Sequence, residues 1–131
     1  MNITFFDEQD DTNSLNGTVV QDREHLLRIL DGLRNRSPFV CDLVGTNGFH
    51  LDIGIGAMGH AQYSRMDGEP PYLLAVAPQP GRRDEYIDFL LWQTPTPISK
   101  RYCMPFESVR DIAAYFLETG RTHPLFAWEE V

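Results

Sequence analysis

The stretch LDIGIGAMGH, Leu51 to His60, places Gly54, Gly56 and Gly59 in the spacing G-x-G-x-x-G. In a dinucleotide-binding fold that spacing follows a strand and opens a helix whose N-terminus holds a pyrophosphate. An acid for the ribose follows about 20 residues later. Here only the strand is present. FHLDIGI alternates Phe49, Leu51, Ile53 and Ile55 on one face with His50, Asp52 and Gly54 on the other. HAQYSRMDGEPP, after Gly59, has no helical period and breaks at Gly68, Pro70 and Pro71. Where the ribose acid should stand, the chain reads LAVAPQP. The glycines therefore predict a bulge or tight turn between two strands, with Gly54 leaving room for a neighbour's side chain.

The flanking segments extend this strand-rich reading. NITFF, Asn2 to Phe6, is a short β-rich run, and the acidic DEQDDTNSLNG after it, Asp7 to Gly17, reads as an exposed loop. Asp22 caps a helix whose apolar face is Leu26, Ile29, Leu30 and Leu33, with Arg34 and Arg36 at its C-terminal end. Phe39 to Gly45 is a strand, Thr46 to Gly48 a turn, and His60 to Arg65 a further strand. Tyr72 to Ala77 is apolar on both faces, as in a strand covered on both sides. Glu85 to Gln93 is β-rich, and the prolines of TPTP end it. Pro105 suits the first position of a second helix, striped by Val109, Ile112, Ala113 and Phe116 and stopped at Gly120. A short strand, Leu125 to Trp128, closes the chain. Hairpin-length connections make this an α+β fold, an antiparallel β-sheet of about five to six strands with two main α-helices packed against it.

A chain of 131 residues predicts a single domain spanning 1–131. Nineteen acids against 11 Lys and Arg give a net charge of −8, which argues against direct nucleic-acid binding and favours a basic protein partner. Cys41 and Cys103 form no C-x-x-C pair and read as free thiols in a reduced compartment, with Cys41 a small core residue, although sequence alone also allows a disulfide between them. The start MNITFFDEQDD lacks the marks of a signal peptide, and no apolar run is long enough to span a membrane, so a cytoplasmic location is expected. His25, His50, His60 and His123 stand in no metal-ligand spacing and are expected to be mostly exposed; neither a metal nor a cofactor is expected. No serine elbow and no carboxylate pair marks an enzyme. The acids Asp7, Glu8, Asp10 and Asp11 could meet a basic partner, and Trp92 and Trp128 could anchor an interface or lie in the core.

The second half of the chain resembles the Imm1 family of bacterial immunity proteins. The resemblance lies in LDIGIGAMGHAQY (Leu51 to Tyr63), in MPFESVRDIAAYFLETGRTHPLFAWEE (Met104 to Glu130), and in the strand-rich segment between. Its most specific element is F-x-x-T-G-x-x-x-P followed by W-E: Phe116, Thr119, Gly120, Pro124, Trp128 and Glu129. Arg121, Thr122 and His123 make this spacing one residue longer than the tighter G-x-x-P. The resemblance implies a non-catalytic antidote, encoded beside a polymorphic toxin and often directed at a nucleic-acid deaminase. It would bind the cognate toxin domain and mask its active site or substrate groove. Asp7, Glu8, Asp10, Asp11, Trp92, Glu129 and Glu130 are the interface candidates, while Gly54, Gly56, Gly59, Phe116, Gly120, Pro124 and Trp128 are structural. The rival readings are a small-molecule-binding module that uses the sheet face with the glycine strand, and an unrecognised enzyme.

Overall fold

A computed structural model describes all residues from Met1 to Val131. Strand β1 (Ile3–Asp7) and the short β2 (Thr18–Val20) bracket the acidic loop and lead into helix α1 (Arg23–Leu33). A meander follows, β3 (Phe39–Gly45), β4 (Phe49–Ile55), β5 (Met58–Arg65) and β6 (Tyr72–Ala75). Next come a hairpin, β7 (Tyr86–Leu91) and β8 (Thr94–Ser99), the two-residue β9 (Met104–Pro105), helix α2 (Phe106–Thr119) and β10 (Trp128–Glu130). The strands run β10-β6-β5-β4-β3-β1-β2, each antiparallel to its neighbour. The α+β class holds, but the sheet has ten strands rather than five or six.

The additional strands are ones that local sequence conceals. TPTPIS forms β8 despite Pro95 and Pro97, because β8 is an edge strand paired only with β7. Trp92 and Gln93 make the two-residue turn of that hairpin with φ values of 50° and 65°, the left-handed pair that such turns require. β2 and β9 are three and two residues long, too short to show a period. The last strand lies later than expected, with Trp128 opposite Ala75. Pro105 sits before the first turn of α2 as its N-cap, rather than inside it, while Gly120 closes the helix at φ 73°.

Both helices lie on one face of the sheet. The Asp22 carboxylate accepts the His25 amide and starts α1, whose Leu26, Ile29, Leu30 and Leu33 are buried as the periodicity requires. They pack with Ile3, Phe5, Phe39, Cys41, Leu43, Leu51, Ile53 and Ile55 from the strands and with Val109, Ile112, Ala113 and Phe116 from α2. Alternation sends the intervening residues to the other face. There the β7–β8 hairpin covers one end: the Leu90 amide donates to the Pro38 carbonyl, and Phe89 packs with Val40 and Cys103 in a second, small core. Both cysteines are buried and free, and burial raises both thiols, Cys103 to about 11.

None of the three motif glycines has a positive φ, so they are not turn formers in the left-handed sense. They serve close packing. A Cβ on Gly54 would meet His60 Nδ1 at 2.2 Å and Phe89 Cδ1 at 2.7 Å; one on Gly59 would meet the Gly54 carbonyl oxygen at 2.2 Å. At Gly54 the sheet face away from the helices is thus filled by His60 and Phe89.

Candidate functional site

The acidic loop is built around a residue that it hides. Asp7 is on the helix-side face of β1, and its side chain has no exposed surface. Its carboxylate accepts from the Gln9 and Asp10 amides at 2.8 and 3.0 Å, from Asn13 Nδ2 at 3.0 Å and from Arg36 at 2.7 Å. Burial alone would raise its pKa, but the bonds from Asn13, Arg36, Gln9 and Asp10 outweigh it and hold the acid below its ordinary value. Asp7 therefore shapes the loop and is out of reach of a partner, contrary to an exposed reading. Arg36 lies beyond the end of α1, and its guanidinium caps Phe39 at 3.8 Å while it holds Asp7. Asp11 projects into solvent from this frame, while Asp10 is half-buried and its carboxylate accepts from the Thr12 hydroxyl and amide, which chiefly lower its pKa.

Trp92 joins these acids in space. The hairpin tip docks onto the start of the loop, with the Trp92 amide donating to the Glu8 carbonyl and the Gln93 amide to Gln9 Oε1. Trp92 remains 60% exposed, so it is not a core residue. It borders a hollow of about 300 Å³ together with Phe6, Glu8 and Asp11. Eighty-four residues of sequence separate Gln9 from Gln93, and the fold closes that gap.

The C-terminal candidates lie elsewhere, on the β10 edge of the sheet. The Arg101 guanidinium grips the Glu129 carboxylate, with Nε at 3.0 Å from Oε1, and the Tyr102 hydroxyl donates to it at 2.9 Å. The bonds from Arg101 and Tyr102 hold that acid near 2. Glu129 is thus occupied within the fold, while Glu130 is exposed. The motif residues around it pin the chain end. The Tyr63 hydroxyl and Asn47 amide both donate to the Gly120 carbonyl, Trp128 Nε1 donates to the His123 carbonyl, and Phe116 is fully buried. Pro124 is exposed in the turn before β10.

The sheet also assembles a cluster that linear spacing did not reveal. Asp42 on β3 stands directly opposite Asp52 on β4, and both face away from the helices. His50 Nδ1 is 2.8 Å from Asp42 and 3.9 Å from Asp52. The three side chains are 14–30% exposed, and their ligand atoms all lie within 4.8 Å of one another, close enough to share a cation. Burial, and next the neighbouring Asp42 charge, raise Asp52 to about 7; the bond to Asp42 raises His50. Glu8 is raised by burial and by Asp42, which ties the acidic loop electrostatically to this cluster. Histidines are less exposed than the sequence suggests: His60 is fully sheltered against Phe89, and burial lowers it to about 4.

Comparison with known proteins agrees with the C-terminal motif. The immunity protein Imm1 family matches residues 12–130. The chain belongs to the Imm1 family of immunity proteins, whose role is to neutralise a toxin. No curated protein matches it. No helix is long and apolar enough to cross a membrane.

Proposed function

We propose that this chain binds a cognate nucleic-acid deaminase toxin in the cytoplasm and blocks it by covering its substrate groove. Family membership supports the immunity role. The observation that carries the finer reading is the meeting of Trp92 with Glu8 and Asp11 at one corner of an acidic protein. A deaminase acting on nucleic acid needs a cationic groove for phosphates. An acidic face with a projecting tryptophan is complementary to such a groove and would speed association at low salt.

The test is co-expression with the toxin encoded beside this gene, followed by a deamination assay on a single-stranded oligonucleotide with purified components. Cells should survive only with the immunity protein, and an equimolar amount should stop deamination. Equal killing with and without it overturns the immunity reading for that toxin. A toxin with a different activity overturns the deaminase part alone.

A further inference from the structure

On the sheet face away from the helices, registers place Phe6, Asp42, Asp52 and Gln62 side by side on adjacent strands, with His50 and Ser64 paired in the next row. Like charges directly opposite across a strand pair disfavour the sheet. The protein offsets this pair only through the imidazole of His50, at 2.8 Å from Asp42 and 3.9 Å from Asp52. No Arg or Lys makes a salt bridge to Asp42 or Asp52, and His50 is their only basic contact. By contrast, Asp7 has Arg36 and Glu129 has Arg101. The paired carboxylates remain reachable from solvent, and the Trp92 tip and half-open Phe6 stand on the Glu8 side of them.

We propose that this face, from Trp92 across Phe6 and Glu8 to Asp42 and Asp52, is the surface that seats the toxin, and that the cross-strand carboxylates receive an arginine side chain from it. The proposal rests on the immunity reading and adds the site and its chemistry. A guanidinium fits because it carries several donors in a plane and pairs with carboxylates in partly dry surroundings. It can bond both aspartates while His50 keeps its bond to Asp42. The exposed aromatics beside the acids suit a protein partner, since aromatic anchors bordered by polar groups are the usual composition of interface centres.

The experiment is calorimetric titration of an inactivated toxin domain, encoded beside this gene, into the wild-type chain, the Asp42→Asn/Asp52→Asn double variant, Trp92→Ala and Glu24→Gln. Glu24 lies on the solvent face of α1, in the helix layer. The double variant should bind about 100-fold more weakly, as expected when one side of a desolvated charge pair is removed. Trp92→Ala should lose at least about tenfold, and Glu24→Gln less than about threefold. The groups facing Asp52 are Asp42, His50 and Glu8, while β5 presents the neutral Gln62 and Ser64. Wild-type affinity should therefore strengthen between about pH 6 and 8 as Asp52 ionises, relative to the double variant. Thermal melts establish that each variant is folded. Wild-type binding that the double variant retains overturns this site while leaving the immunity function intact; no wild-type binding overturns the function itself. Zinc bound by the isolated wild-type chain, lost in the double variant and required for toxin binding when only the immunity protein has been stripped of metal, would also overturn the arginine assignment, in favour of a metal.

Discussion

Replacing Asp7 with alanine should unfold the acidic corner at a cost that the structure allows us to scale. Four donors converge on this carboxylate, two backbone amides, the Asn13 amide and the Arg36 guanidinium. Bonds to a charged acceptor contribute roughly 1.5–3 kcal/mol each, but they are not additive, and donors near the surface recover water. Arg36 is 35% exposed, so its charge is not stranded when the partner goes. The net loss is then about 3 kcal/mol, the low end for breaking a buried ion pair, and a melting temperature lower by about 10 °C in a domain of this size. Asp7→Asn keeps one acceptor oxygen for the Gln9 and Asp10 amides and should lose about half as much. The folded pKa lies below 3.8, so the stabilisation is complete above that value and disappears as pH falls through the folded pKa. Thermal melts of wild type and Asp7→Asn should therefore keep a constant gap from about pH 7 to 5, closing in stronger acid. A fall of less than about 3 °C for Asp7→Ala, or a gap that persists in strong acid, would refute the role assigned to this residue.

The glycines offer an opposed pair. Gly54→Ala forces a methyl into His60 and Phe89 and should cost about 3 kcal/mol by chemical denaturation, whereas Gly32→Ala on exposed α1 meets nothing within 4 Å and should add about 0.5–1 kcal/mol. His60 is neutral in the fold with its pKa near 4, against 6.5 in the open chain. Its contribution is complete above 6.5 and is lost as pH falls toward 4, so His60→Phe should lose less stability than wild type across that window in pH-resolved melts. Trp92→Gly should change stability by no more than about 1 kcal/mol, because relief of its left-handed backbone offsets the contacts of a largely exposed ring. A larger loss would show that the ring supports the hairpin.

The elements that were legible in sequence are those whose cause is local. Asp22 capping α1, the i, i+3, i+4, i+7 stripe through Leu33 and the stop at Gly120 each depend on residues within a few positions. The same is true of β3 and β4, whose alternation is long enough to count. β8 was not legible, since prolines that would break an interior strand are tolerated on an edge, and edge status is set by the whole sheet. In sequence Arg36 is only a cation near a helix end; its partner is 29 residues away on the first strand.

The same distinction separates the two halves of the candidate surface. The acids at Glu8, Asp10 and Asp11 announce themselves as a run, but a run of charge says nothing about what it faces. Asp7, in the same run, turns inward because strand alternation places it beside Phe5 on the helix face, where Arg36 can reach it. Asp42 and Asp52 are ten positions apart, each a lone acid in an apolar strand. They become neighbours only through the register that pairs Phe39 with Ile55, and a slip of one residue would send every side chain of β4 to the other face. That register is held by the buried Leu51, Ile53 and Ile55, and by Gly54 admitting His60 beneath Phe89. The glycine strand thus contributes to the proposed site as packing. It fixes the sheet so that two half-buried carboxylates stand together at the surface, with no arginine or lysine of the chain paired to them.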